Sequence, residues 1–495
     1  MTDVEDELEE QLQKHENILA MCCSRQSMYE DPEFPANDRA IKHTGSTGRY
    51  GIKWLRPKQI NPNATFIKDG FSRSDISQGG LGDCWILAAM AGMAERPEII
   101  NRVVPEGQSI EAPNYCGAFR FRFRKFGKEV EILVDDRLPT EGGRTIYTEP
   151  LNGEFWVCLL EKALAKFYGC YEALEGGVIF EALADLTGGV CEEIKLKDWK
   201  ESQHPKLARH IERCLNRKGS VIGASSIPSH NGDDYEMGNG LVYSHAYTIT
   251  GLKVIQVKTG SAMGKWRDLE LIRVRNPWGS TEWGGDWSDN YRGWSEEQKR
   301  AVQLVSRDDG EFWMSFVDFA KFFRAVTILH FGSPAESSFG RDGGLGGRGA
   351  TEWRCHEFYG EWKKGVSAGG QPYYRDSHFT NPQFVVELVD SPDDEDDTAA
   401  CLVSLEEPDQ RILQAGRRDY AAKAVFLYSL APGQTHVAAS AGGRRLAPAA
   451  DSCPFTQSRT HVFRFQMKPG RYAVMPCTFE PGEETEFLLR VFTEA

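Results

Sequence analysis

Apolar and polar residues change period several times along this chain, and each change marks an element. Near the N-terminus Val4, Leu8 and Leu12 recur every four residues among acids, which predicts a short amphipathic helix over residues 1–20. A stretch rich in Pro, Gly, Asn and Asp follows to about residue 70. The run CWILAAMAGM (84–93) is apolar on all sides, as a helix buried all round must be. It follows the Gly-rich QGGLG, and Asp83 stands where an N-cap belongs. FRFRFRKFG (119–127) alternates Phe with Arg, and EVEILVDD alternates again, so the pair predicts a hairpin. EFWVCLLEKALAKFYG (154–169) returns to helical spacing.

Residues 178–334 mix short helices with strands such as AYTITG (246–251) and LELIRVR (269–275). ESSFGRDGGLGGRGA (336–350) has almost no large apolar residue and reads as a linker. Beyond it come short alternating runs, FVVELV, CLVSL, AVFLYSL, HVFRFQM, RYAVM and EFLLRVF, separated by turn residues. That pattern predicts an all-β antiparallel sandwich. There is no internal repeat.

At 495 residues the chain has room for about three domains, each with its own core. With 58 basic against 72 acidic side chains the net charge is −14, which argues against nucleic acid as the main partner. An acidic surface suits cation sites, though solubility alone explains it as well. The acidic N-terminus has no apolar signal core, and no stretch reaches the length of a membrane span. Twelve scattered cysteines without metal-ligand spacing suit a reducing, cytoplasmic home.

A thiol attacks only as thiolate, and a helix N-terminus or a neighbouring imidazolium lowers its pKa. Cys84 has the first device from local sequence alone. Gln78, on the Gly-rich loop, can supply an amide beside the Cys84 N–H as oxyanion donors. His245 begins a strand and can serve as base; Asn276 ends another and can fix its tautomer; Trp278 can shield that bond. The order Cys, His, Asn follows papain-like triad logic. Each residue also has a plainer reading, as buried core thiol, structural strand histidine or turn asparagine, and spacing alone does not join them.

QGGLGDCWILAA, GLVYSHAYTITG and RVRNPWGSTEWGGDWSD together resemble the three active-site blocks of calpains. YEDPEFPA, EVEILVDDRLPT, EFWVCLLEKALAK, DLTGGV and DGEFWMSF resemble calpain segments in calpain order. NPQFVVELV and FEPGEETEFLLRVF resemble the β-sandwich that follows the protease core. The resemblance runs from about residue 28 to the end. It implies an α+β fold, a papain-like two-lobed cysteine protease core followed by an all-β antiparallel sandwich. The divisions expected are an N-terminal anchor segment (1–44), a Cys lobe (45–177), a His/Asn lobe (178–334), the linker (335–350) and the sandwich (351–495). It further implies a calcium-regulated endopeptidase that makes limited cuts in protein substrates. In the family each lobe binds one calcium, and the lobes then rotate together to complete the triad. By motif position the first site maps to Asp75 and Glu154 with main-chain oxygens of Lys68 and Gly70. The second maps to Glu282, Asp289, Asp309 and Glu311 with the Arg307 carbonyl. The matching arginine, Arg73, pairs in the family with the acid matching Glu311.

Departures from the family bear on these expectations. Ser244 stands where Gly usually precedes the histidine, and Gly80 where Ala is commoner. The sequence stops before any penta-EF-hand domain, and no D-x-[DN]-x-[DN]-G loop appears, so it reads either as a member lacking that domain or as a truncated product, and no small regulatory subunit is expected as partner of this chain. The run Asp393–Asp397 matches a loop proposed in the family to sense calcium, or anionic lipid through calcium. Calcium-dependent contact of the sandwich with an anionic membrane is therefore an expectation, beside the plain reading of a solvated loop. Three functions compete: an active limited protease, an inactive scaffold on the same fold, and a degradative papain-like enzyme. The intact triad favours the first over the second, and the lack of a signal and propeptide disfavours the third.

Overall fold

The structure, a computed structural model, describes residues 2–45, 51–217, 219–230, 234–258, 265–331, 353–389, 398–410, 420–438 and 446–494. The expected linker and the acidic run at Asp393–Asp397 lie outside these residues. Two compact units form: Met1–Arg124 with Glu129–His330, and Lys125–Lys128 with Phe331–Ala495. Among the described residues no helix is long and apolar enough to cross a membrane.

The first unit begins with helix α1 (Thr2–Arg25), longer than its apolar spacing predicts. His15 and Cys22 are buried along it, and His15 Nδ1 meets the buried Glu131 at 3.0 Å. Helix α2 (Cys84–Ala94) is buried at nearly every position from Trp85 on, as its all-round apolar sequence requires. Asp83 precedes it with no side-chain capping bond, contrary to expectation: the Asp83 carbonyl takes the Ile86 and Leu87 N–H groups, while the carboxyl turns to a buried acid, Glu161. Strands β1 (Ala118–Lys125) and β2 (Lys128–Asp135) form the expected hairpin. Phe126 and Gly127 turn it, both at positive φ, which matches the twist of the strands. Phe119, Phe121 and Phe123 are buried and the arginines between them lie on the other face. Helix α3 (Trp156–Tyr168) is the element read from 154–169, ended by Gly169 at φ +106°.

Next come β3 (Val190–Lys195), β4 (Ser220–Ser226), β5 (Ala246–Lys258), β6 (Trp266–Arg275), β7 (Glu311–Ser315) and β8 (Phe323–His330). They pair antiparallel in the order β7-β6-β5-β4-β8-β3. Ile222, Tyr247, Ile272, Phe312 and Val326 of this sheet pack with Leu207 and Ile211 of the helix His204–Asn216. The sheet carries His245 just before β5 and Asn276 just after β6.

In the second unit two antiparallel sheets share one core, a sandwich as predicted. Trp353–Trp362, Thr485–Glu494, Ala399–Glu406 and Thr460–Met467 make one sheet; Phe384–Leu388, Gly470–Thr478 and Ala422–Ser429 lead the other. Val403, Leu405, Val425, Leu427, Val474 and Leu489 from both sheets meet between them. The strand Trp353–Trp362 was not expected: among the described residues it pairs on one side only, with Thr485–Glu494, and only Phe358 and Trp362 turn to the core, too few to read as alternation.

In the first unit the Lys162 ammonium meets Asp135 at 2.6 Å, both side chains fully buried. Although burial alone would raise it, the Asp135 carboxyl is held down at about 2 by Lys162 and Arg137. Lys162→Met should destabilise the fold by on the order of 3 kcal/mol, because it strips a partner from a buried charge. Urea denaturation measures this; an unchanged midpoint would mean that Arg137 suffices.

Candidate active site

The sheet and α2 bring together residues that are far apart in sequence. Asn276 is fully buried; its Oδ1 accepts from His245 Nε2 at 2.9 Å and from the Trp278 N–H at 3.1 Å, and its Nδ2 donates to Thr281 O at 3.1 Å. The Trp278 ring lies 5.0 Å from the imidazole. With its Nε2 proton given to Asn276, His245 keeps a lone pair on Nδ1, which is buried and without a hydrogen-bond partner among the described residues. The backbone N–H of Ala246, the next residue, faces the Cys84 sulfur. Burial pushes the Cys84 thiol up to about 12 and, despite the Asn276 bond, holds His245 down at about 4. Both groups are therefore neutral in this cleft.

Several supporting residues escaped the sequence reading. Ser226 Oγ takes the His245 N–H at 2.9 Å, and the Tyr247 ring stands edge-on to the imidazole at 5.0 Å. Thr248 Oγ1 donates to Ala88 O at 2.7 Å, which ties β5 to α2. The period-two alternation of AYTITG could have flagged Thr248, since Ala246 and Thr248 share a face.

Gln78 donates its N–H to Pro277 O at 3.1 Å, beside Asn276. Its side-chain amide, however, donates to Leu81 O at 2.7 Å, and its Oε1 is buried and unpartnered among the described residues. Gly79 is required by space alone: a Cβ there would stand 1.7 Å from Tyr147 O. Arg73 binds Glu311 through two nitrogens, at 3.0 and 3.2 Å, and also reaches Glu95 at 3.1 Å.

The acids expected to hold a cation fall into two groups. In the first, Glu154 accepts the Lys68 N–H at 3.0 Å, and Asp75 accepts from Ser72 N and Trp156 Nε1 at 2.9 and 3.0 Å. Gly70 lies between Lys68 and Asp75 at φ +93°. Burial raises both carboxyls, and Asp75 raises Glu154 further. In the second, Glu282 takes the Asp309 and Gly310 N–H groups at 3.0 and 2.9 Å, and Asp289 takes the Arg307 N–H at 3.2 Å. Burial, then Asp289 and Asp309, push Glu282 up to about 7; burial, then Asp309 and Glu311, push Asp289 up to about 6. A cavity of about 540 Å³ opens beside Glu282, Asp286 and Asp289. Glu311 is drawn toward Arg73 and Arg273. Among the described residues no three His, Cys, Asp or Glu side chains gather closely enough to hold a metal alone.

Residues 29–330 match the family described as "Calpain family cysteine protease", and residues 358–492 match "Calpain large subunit, domain III". The chain is 38% identical to Calpain-A of Drosophila melanogaster over 493 residues, which is 98% of this chain and 58% of that protein. To Calpain-B of the same organism it is 38% identical over 488 residues, 97% of this chain and 51% of that protein. To the Calpain-2 catalytic subunit of Homo sapiens it is 36% identical over 501 residues, 97% of this chain and 68% of that protein. The chain thus spans little more than half the length of the two fly proteins.

Ser244, where the family usually has Gly, lies at φ +52°, a conformation that glycine adopts freely and serine does not. Its hydroxyl accepts the Ser229 N–H at 3.1 Å. Ser244→Ala keeps the strain and loses that bond, so it should cost about 1–2 kcal/mol. Ser244→Gly loses the bond but relieves the strain, so its cost should stay under about 1 kcal/mol. Chemical denaturation ranks the two; an alanine variant as stable as the glycine variant would refute the strain argument.

Proposed function

The chain belongs to the calpain family of cysteine proteases, and on that premise we propose that it makes limited cuts in protein substrates, with Cys84 as nucleophile, His245 as base and Asn276 as the residue that orients the imidazole. The observation that carries this reading is the His245–Asn276 bond, which leaves Nδ1 free of partners among the described residues, next to the Ala246 N–H that faces Cys84. Cys84 gives its proton to Nδ1 and the sulfur attacks the substrate carbonyl carbon. The carbonyl oxygen takes the negative charge, stabilised by the Cys84 N–H and by the Gln78 amide, which must turn away from Leu81 O. The imidazolium then protonates the leaving amine, and water, deprotonated by the same nitrogen, releases the acyl group from sulfur. Because burial holds thiol and imidazole neutral, proton transfer is favourable only as the oxyanion donors engage. Trp278 keeps water from the His245–Asn276 bond. The core divides in this reading into a Cys lobe ending near Gly177 and a His/Asn lobe beginning at Val178.

Calcium fits the two acidic groups. Asp75 and Glu154, with the Lys68 and Gly70 carbonyls, would hold one ion; Glu282, Asp289, Asp309 and Glu311, with the Arg307 carbonyl, would hold another. Bound calcium supplies the positive charge that these crowded carboxylates lack. Arg73 then couples the groups, since it stands two residues from Asp75 and grips Glu311. Protein substrates are the partners expected, with anionic membrane contact through the sandwich as a further part of the reading.

Cys84→Ser should leave the circular dichroism spectrum unchanged and cut casein cleavage by about a thousandfold or more, because the hydroxyl does not ionise with this base. Activity near wild type would remove Cys84 from its role. Asn276→Ala should lower kcat by roughly a hundredfold without abolishing it, since Asn276 orients and does not react. Arg73→Ala should raise the calcium needed for half-maximal peptidase activity and flatten the response; a curve superimposed on wild type would refute the coupling.

A further inference from the structure

Asp83 sits directly before the proposed nucleophile and is 1% exposed, yet neither of its carboxylate oxygens has a hydrogen-bond donor among the described residues. The group it meets is Glu161 of α3, 2% exposed, which accepts the Thr148 N–H at 3.2 and 3.4 Å. Two further buried oxygens in this place also lack partners, Thr148 Oγ1 and the Tyr171 hydroxyl. Each such atom costs about 1–3 kcal/mol if left unsatisfied, so a group of them requires a cause.

The charges around the pair give it no cation. Cys158 lies on the same helix as Glu161, with its thiol donating to Thr148 O at 3.3 Å. Tyr171, stacked on Tyr147 at 4.5 Å, faces Glu161 from the next element. Asp135 and Glu149 add only negative charge to this neighbourhood. Lys162, the next residue of α3, is taken by Asp135. Two acceptors therefore face each other in an apolar interior with no donor between them, and two full negative charges cannot persist there. A proton is the missing donor.

We propose that Asp83 and Glu161 share one proton at neutral pH, and that this sharing keeps a full negative charge off the residue that precedes Cys84. Burial first drives the pair this way: it lifts Asp83 to about 7, and burial together with Asp83 lifts Glu161 well above the usual carboxylate range. The consequence for the thiol follows from sign. A localised anion at position 83 opposes formation of the Cys84 thiolate. Asp83 and Glu161 are thus positioning residues for the nucleophile. The effect on catalysis rests on the reading of Cys84 given above, whereas the shared proton does not.

The test uses the isosteric variants Asp83→Asn and Glu161→Gln, singly and together, in the full chain, with thermal melts to confirm folding. In a Cys84→Ser background, infrared difference spectra at neutral pH should show a protonated carboxyl that disappears in the double variant. No difference between those spectra overturns the shared proton, whatever the activity. With Cys84 intact, alkylation by iodoacetamide is followed against pH. Glu161→Gln confines the charge to Asp83 and should slow Cys84 alkylation at neutral pH by about threefold to tenfold. Asp83→Asn should not slow it, and the double variant should restore the wild-type rate. Equal losses in both single variants, or superimposed curves in all, overturn the influence on Cys84. A carboxyl band and alkylation curves as expected in a chain without peptidase activity support the pair and remove the catalytic reading instead.

Discussion

Everything chemical in this chain depends on one join, where the start of α2 meets the ends of β5 and β6. Its polar contacts include Thr248 Oγ1 to Ala88 O, Gln78 N–H to Pro277 O, Arg275 to Ile76 O and the two-pronged grip of Arg73 on Glu311. In the proposed reading, the Cys84 thiol on one side and the His245 imidazole on the other form a reactive pair only while these hold. The join also explains the oddities nearby. Gly79 must be glycine because Tyr147 O leaves no room for a Cβ, and Ser244, just before His245, holds a strained φ.

The reading proposed above makes this join the element that calcium would switch. Burial raises the acids near it, Asp75, Glu154, Glu282 and Asp289, and neighbouring acids raise them further. A ligand moves this equilibrium only by binding the joined state more tightly than the parted one. Carboxylates whose backbone donors come from the same loops as Arg73 and Asp309 are suited to that task. Beside the nucleophile the problem has the same sign but another remedy: Asp83 and Glu161 lie beyond the reach of solvent, and only a proton can relieve them.

Much of this was legible in the sequence where a rule is local. The all-round apolar run after Cys84 could only be a buried helix, the Phe-Arg alternation could only be a half-buried strand, and the later short runs gave the sandwich. His245 and Asn276 fell at strand ends as read, and the geometry sets them in contact. What escaped depends on partners distant in sequence. Asp83 has the identity of a cap, yet Glu161 claims its carboxyl. Gln78 has the reach of an oxyanion donor, yet here it binds Leu81 O. Trp353–Trp362 pairs as an edge strand whose core face holds only Phe358, Gly360 and Trp362, with Tyr359 outward, so little periodicity announces it.

The central claim is that one thiol among twelve is activated by His245 and Asn276, and only while the join is closed. The most direct measurement is the rate at which a peptidyl electrophile labels each cysteine, mapped by mass spectrometry, in calcium and in chelator. The account predicts that Cys84 is labelled first in calcium, ahead of the exposed Cys453, and loses that lead in chelator. Labelling of Cys84 no faster than Cys453 in calcium, or equally fast in chelator, would contradict it.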